Sequence, residues 1–205
     1  MIWLDKGLDF VALLYALLMF PAPIFWLAVH PAVRFWRRFG NRAFWIALPI
    51  WVICGALLLS LRTRIFGERF HRDPWTWIIG AVALFAALWL DGRTRREFGI
   101  RRLVGIPELN PLDPRGRVVS EGIYAHLRHP RYLQYMLTFW ALALLTGAKG
   151  VFLLAILTVL LYLIVAPLEE RELREQYGQS YEAYSAQVPR FLPRLRRRTR
   201  PQVSS

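Results

Sequence analysis

Two groups of residues, far apart in the chain, carry side chains able to do chemistry. The first is Gly122-Ile123-Tyr124 followed by Arg128-His129-Pro130-Arg131-Tyr132; the second is Glu169-Glu170 followed by Tyr177-Gly178, Tyr181, Tyr184 and Val188-Pro189-Arg190. Arg128 presents a planar fork of donors that can grip a carboxylate or a phosphate through two parallel hydrogen bonds. Tyr124 and Tyr132 supply rings with a hydroxyl at the edge. His126 and His129 stand three apart, a spacing that on a helix can make two metal ligands. Pro130 opposes that arrangement, because the residue before a proline is pushed out of the helical region. With no cysteine nearby and Glu121 the one obvious third ligand, no metal site is expected.

Glu169 and Glu170 directly follow Val165-Ala166-Pro167-Leu168, which sets two carboxylates against an apolar zone. Such groups are costly unless paired, and that makes them site candidates. The plainer reading is a solvated helix start in which Glu170 pairs with Arg174, four residues on. Both hold if one glutamate faces inward and the other outward.

The elements between the two groups are apolar. Tyr132 to Thr146 and Val151 to Ala166 are joined by the short turn Thr146-Gly147-Ala148-Lys149-Gly150, so a helical hairpin returns the second group to the end where the first lies. Three further apolar runs precede them, Leu8 to Val29, Ala43 to Leu61 and Pro74 to Leu90. Of 205 residues, 56% are hydrophobic, yet the formal net charge is +13. A water-soluble domain has nowhere to hide so much apolar surface, whereas a chain with apolar blocks and charged gaps does. About 20 apolar residues in a helix cross about 30 Å of hydrocarbon. The expected fold is therefore all-α, a polytopic membrane protein of about five transmembrane helices ending in a helical hairpin. Pro21 and Pro23 kink or break the first run, and the third closes at Asp91-Gly92.

The charged gaps give an orientation. Arg34, Arg37, Arg38 and Arg42 lie without an acid among Phe35, Trp36 and Phe39, a composition suited to a headgroup-level surface anchor. From Asp91 to Arg131 there are nine arginines against five acids, punctuated by Gly99, Gly105, Pro107, Pro111, Pro114 and Gly116, which indicates a folded polar loop. The C-terminal run Arg194 to Arg200 reads as a disordered basic tail resting on anionic lipid. With the first gap, the long loop and the whole C-terminal segment after Ala166 on one side, that side carries a net charge of about +11 against about +2 opposite. The N-terminus is then outside and the C-terminus in the cytoplasm, with Arg62 to Asp73 the one gap that weakens the bias.

Other classes fit less well. The arginines cluster between apolar blocks, so the membrane accounts for them and no nucleic-acid partner is expected. A transporter buries ionisable groups at mid-membrane, and none of the five runs carries one there. Cys54 is single and forms no intrachain disulfide, and the acidic N-terminal flank indicates a retained span rather than a secretory signal.

The ordered pattern Gly122, Tyr124, Arg128-His129-Pro130, Tyr132, Glu169-Glu170, Leu173, Tyr177-Gly178, Tyr181, Tyr184, Val188-Pro189-Arg190 and Pro193 resembles the integral-membrane methyltransferases, namely the isoprenylcysteine carboxyl methyltransferase family and its phospholipid methyltransferase relatives. Tyr177 stands where that family usually has Phe, which keeps the ring. The resemblance implies S-adenosylmethionine as cofactor, held by cytoplasmic C-terminal segments, and a lipophilic or lipid-linked acceptor arriving from the bilayer. It implies Tyr124, Arg128, His129, Pro130, Tyr132, Glu169, Glu170, Tyr181 and Arg190 as cofactor-binding residues, with Arg128, Glu169 and Glu170 as the catalytic set. Arg128 or Arg190 would take the cofactor carboxylate, Glu169 or Glu170 its ammonium and ribose, and Tyr132 its adenine, with His129 orienting rather than acting as a base. The acceptor is a carboxylate, a thiol or an amine. Residues 1–117 are then an N-terminal membrane region free to encode substrate choice, 118–193 the methyltransferase-like core and 194–205 the tail. The alternatives are a nicotinamide-dependent membrane reductase resembling the sterol reductases, which are generally longer, and a non-catalytic membrane scaffold. A multi-pass bacterial inner-membrane location follows from the same reading, with membrane lipids as surroundings.

Overall fold

A computed structural model of the protein describes residues 2–97 and 118–192. Most of the long polar loop, Pro193 and the basic tail lie outside them.

All elements of the described chain are helices, joined by short non-helical segments, one of which forms an isolated backbone bridge between Arg69 and Ala148. Helix α1 (Ile2–Met19) leads through Phe20 into α2 (Pro21–Val29), with Pro21 as first residue, where its missing N–H costs nothing. Pro21 thus divides the first apolar run without reversing it. A tight turn, α3 (Val33–Trp36) and a further 3-10 stretch from Arg37 to Ile46 lead to α4 (Ala47–Ser60) and the short α5 (Arg62–Gly67). Then follow α6 (Pro74–Glu97), α7 (Pro130–Thr146), α8 (Lys149–Tyr177) and α9 (Gln179–Gln187).

Three of these stretches, Trp3–Gly40, Pro74–Arg96 and Lys149–Tyr177, are long and apolar enough to cross a membrane. The two other expected spans are the 14-residue α4 and the 17-residue α7. Helix α7 is buried on most sides, at Tyr132, Tyr135, Met136, Phe139, Ala141 and Leu142 among others, so its neighbours cover it. Such a helix can be shorter than the hydrocarbon is thick. The lipid-facing residues lie on the outer helices, with Val82, Phe85 and Leu88 of α6 and Leu160, Leu163 and Ile164 of α8 exposed. The protein is an all-α polytopic membrane protein.

Two expectations about helix ends are corrected. Helix α6 does not close at Asp91-Gly92 but runs on to Glu97. Arg95 binds Asp91 one turn back at 2.6 Å, and the buried Thr94 hydroxyl donates to the Leu90 carbonyl at 2.8 Å, so local bonds carry the helix past the apolar limit. Glu169 and Glu170 are not at a helix start, since α8 continues through Pro167 to Tyr177.

Small residues let the helices approach. Ala12 and Ala16 of α1, Ala143 of α7 and Ala155 of α8 are buried with Phe139, Leu142 and Leu154 in the central core. A Cβ at Gly150 would overlap the Ile65 backbone, which fixes the start of α8 against α5. Helix α7 ends at Gly147, whose φ of 68° suits glycine, and its N–H closes on the Ala143 carbonyl.

Candidate functional site

The two polar groups meet at one end of the bundle because the chain folds back twice. Gly122, with φ 58°, starts the 3-10 turn Gly122–Ala125. Ile123 and Leu127 then anchor this loop on Leu90 of α6. At the other terminus Gly178, at φ 54° and ψ −132°, turns α8 into α9. The strand-like segment after α9 binds the loop: Arg128 N–H donates to the Pro189 carbonyl at 2.9 Å and His129 N–H to that of Arg190 at 3.1 Å. The Tyr184 hydroxyl donates to the Tyr124 carbonyl at 2.7 Å. His129 takes the N-cap position of α7, with Pro130 at the first turn, so it does leave the helical region.

The side chains converge on α8. Arg190 grips Glu170 with two parallel bonds, Nε to Oε1 at 2.8 Å and Nη2 to Oε2 at 2.7 Å. His129 Nε2 lies 3.0 Å from Glu170 Oε1, and its Nδ1 lies 3.2 Å from Glu169 Oε2. Arg128 Nη2 reaches Glu170 Oε1 at 3.3 Å, and Arg174 Nη2 reaches Glu170 Oε2 at 3.4 Å. The Glu170 side chain is fully buried, whereas that of Glu169 is 21% exposed, so Glu169 lines the edge of the cluster. Burial pushes the pKa of His129 down, but Glu169, and Glu170 with it, push it up by more, and the net shift is upward. Paired through both ring nitrogens, His129 is held in place and orients its neighbours.

Aromatic rings continue the site into the bundle. Tyr132 stacks on His129 with centroids 5.2 Å apart and planes at 6°, and on Tyr162 at 4.4 Å and 25°. Tyr135 lies 5.9 Å from Tyr162 and accepts a hydrogen bond from Arg131 at 2.6 Å. Phe191 tilts over His129. Tyr181 is buried beside Glu170 and Arg128, its hydroxyl without a hydrogen-bond partner among the described residues. Burial raises the pKa of that hydroxyl, so it remains a donor.

Arg128, His129, Tyr132, Glu169, Glu170, Tyr181 and Arg190 thus lie in or against one cluster, with Pro130 opening α7 beside it and Tyr124 held by Tyr184, but the roles are rearranged. Arg190 and Arg128 do not present open forks. Both guanidiniums are turned onto Glu170, and Arg128 also donates to the Ser185 carbonyl at 3.2 Å. The Nε of Arg128 is buried without a partner among the described residues. Glu170 organises the cluster, and Glu169 is the carboxylate left at its edge.

Sequence reasoning missed a second ionic group. His30 Nδ1 lies 3.0 Å from Glu172, which also accepts from Arg37, while Arg34 pairs with Glu175 at 2.9 Å. The segment read as a surface anchor therefore docks on α8 one turn beyond the glutamate pair. The available signal was the position of Glu172, three residues after Glu169 and so on a neighbouring part of the same helix face.

Comparison with known proteins agrees with this geometry. The sequence model of the phospholipid methyltransferase family matches residues 75–180, half of the chain, including the loop and the glutamate pair. A methanethiol S-methyltransferase of Crocosphaera subtropica is 32% identical over 117 residues, 57% of this chain and 43% of that protein. That of Pseudomonas deceptionensis is 30% identical over 159 residues, 75% of this chain and 55% of the relative. That of Mycobacterium tuberculosis is 35% identical over 130 residues, 58% of this chain and 52% of the relative. The chain spans about half the length of these curated relatives. No solved structure matches it. The motif loop, the glutamate pair and the matched segment coincide in space, and the chain belongs to the phospholipid methyltransferase family of membrane methyltransferases.

Proposed function

We propose that the protein is an S-adenosylmethionine-dependent methyltransferase acting on a lipophilic acceptor, with a thiol as the acceptor group. The observation that carries this reading is the ionic cluster on α8, where His129, Arg128, Arg174 and Arg190 surround Glu169 and Glu170. Three arginines and His129 against two carboxylates leave a positive surplus beside stacked aromatic rings. That surplus suits the cofactor's carboxylate, and the partnerless Arg128 Nε and Tyr181 hydroxyl are buried donors beside it. Glu169, at the edge, suits the ammonium or ribose hydroxyls, and Tyr132 the adenine.

When bound, the cofactor would supply a methyl group on an electrophilic sulfonium, leaving as a neutral thioether while the thiol proton is released to water. The protein's part is then to hold its two ends, to align the acceptor and to exclude water. His129 fixes Glu169 and stacks on Tyr132; Glu170 holds Arg128 and Arg190 in register. The thiol is preferred over a carboxylate or an amine because the relatives are named methanethiol S-methyltransferases. The charge bias puts this end on the cytoplasmic side of a bacterial inner membrane. Residues 118–193 are the cofactor-holding core, and residues 1–117 shape the acceptor side.

Calorimetry on detergent-purified protein tests the reading. S-adenosylmethionine is expected to bind, and Glu169→Gln to weaken binding tenfold or more. Binding of NADPH instead would support a reductase, and binding of neither a scaffold. Incubation with methyl-labelled cofactor and either alkanethiols or a lipid extract identifies the acceptor.

A further inference from the structure

Deeper in the bundle lie polar groups that the ionic cluster does not use. Thr158 and Tyr162 are four apart on the inward face of α8, 0% and 1% exposed, and neither hydroxyl has a hydrogen-bond partner among the described residues. Tyr15 of α1 brings a third hydroxyl, which stands beside Thr138 and Gln134 without reaching hydrogen-bond geometry. Along α8, at about 1.5 Å per residue, Tyr162 and Thr158 sit roughly 10 and 16 Å from Glu169, within the apolar part of the helix. Hydrocarbon satisfies no hydroxyl there, and native interiors rarely leave such groups unpaired without a reason. Two features link them to the mouth. Tyr162 stacks on Tyr132, which stacks on His129, so an unbroken aromatic wall joins these hydroxyls to the ionic cluster.

We propose that Tyr162, Thr158 and Tyr15 form the acceptor subsite and hold the sulfur of a small thiol, an assignment that rests on the methyl-transfer reading above. The enclosure argues for a compact ligand. Ala155, Val165 and Ala166, which flank the two hydroxyls on α8, are 0% exposed, while Leu160, Leu163 and Ile164 carry the lipid-facing side of the same helix. A ligand with a long chain would have to pass between packed helices. The chemistry argues for sulfur. Hydroxyls that donate without a countercharge suit a polarisable, weakly hydrated thiol, whereas a carboxylate or ammonium would lose far more hydration on entering.

The test uses the full-length protein in detergent with 1-propanethiol as probe and compares wild type with Tyr162→Phe and Thr158→Val. With S-adenosylmethionine affinity followed by calorimetry and unchanged, the KM for the thiol is expected to rise about tenfold in Tyr162→Phe and less in Thr158→Val, with kcat little altered. Without thiol, neither variant should melt earlier than wild type, because the group removed had no partner. An unchanged KM in both variants overturns the subsite, as does an earlier melt with unchanged KM, the signature of a hydroxyl that serves only a buried water. Wild-type protein that binds the cofactor but does not methylate the thiol overturns the subsite and the thiol assignment, and leaves the methyltransferase reading standing. Failure to bind the cofactor overturns the methyltransferase reading and the subsite with it.

Discussion

The two ends of the bundle are both rich in arginine, and they use it differently. At the end holding the N-terminus and the α7–α8 turn, two arginines are each matched to one acid and one helix terminus. Arg69 pairs with Asp9 and donates to the Thr146 carbonyl at 2.8 Å; Arg72 pairs with Asp5 at 2.6 Å and donates to the Leu145 carbonyl at 2.8 Å. These are orphan carbonyls at the C-terminus of α7, and the arginines cap them. At the other end one buried carboxylate gathers three arginines and a histidine, and the cations exceed the acids around them. Arginine content therefore says little about where a site lies. A surplus of cations gathered on one buried carboxylate, with buried donors left over, is the distinguishing feature. The same capping role explains why the Arg62 to Asp73 gap ran against the charge bias: two of its arginines are tied to Asp5 and Asp9 rather than left to face a lipid surface.

The contrast can be broken by removing its members. Glu170→Ala is expected to cost the most, about 3 kcal/mol or more, because it strands the largely buried Arg128 and His129 and removes the bidentate partner of Arg190; thermal melts in detergent would show it, and cofactor binding would be lost with it. A loss below about 1 kcal/mol would mean that the cations simply turn to solvent. Arg72→Ala, at the capping end, is expected to cost about 1–2 kcal/mol and to leave cofactor affinity unchanged, since it removes one cap and one ion pair. Lys149→Ala is expected to change the melt by less than about 0.5 kcal/mol, because its partner Glu68 and the lysine itself are largely exposed.

A pH series sharpens the comparison further. The pKa of His129 is raised in the folded protein by Glu169 and Glu170. Its contribution to stability is therefore full below the ordinary histidine value of about 6.5 and is lost as pH rises through the raised folded value. Wild type should melt progressively earlier over that alkaline window, and His129→Gln should flatten this part of the profile. Arg72 lies at the opposite end of the bundle and touches no member of the His129 cluster, so Arg72→Ala should keep the wild-type slope.

Much of the fold could be read from sequence because it depends on local composition. Apolar blocks of membrane length, Pro21 and Pro130 at helix starts and Gly147 in the hairpin turn all act through backbone rules and burial. The end of α6 was misjudged because Asp91-Gly92 is a stop signal on its own, and the bonds from Arg95 and Thr94 that override it are between residues whose pairing depends on the helix already being formed. The convergence of Arg128, His129, Glu169, Glu170 and Arg190 followed from the hairpin. Which atoms meet did not, since the arginines turn onto Glu170 rather than outward. His30 and Glu172 are 142 residues apart, and nothing in their spacing reveals that α2 ends against α8.

By itself, the sequence determined the helical class, the membrane location, the two polar groups and the fact that they return to one end, because hydrophobic length and turn chemistry are properties of short stretches. The tertiary structure decided what those groups do to one another. Only packing could bury Glu170 and leave Glu169 at the edge, commit Arg190 to an internal pair, and set unpaired hydroxyls of α1 and α8 deep in the bundle, because burial and partner choice are fixed by neighbours that arrive from distant parts of the chain. The stretch from Gly122 to Arg190 holds one ionic cluster joined by stacked Tyr132 and Tyr162 to buried hydroxyls of α8.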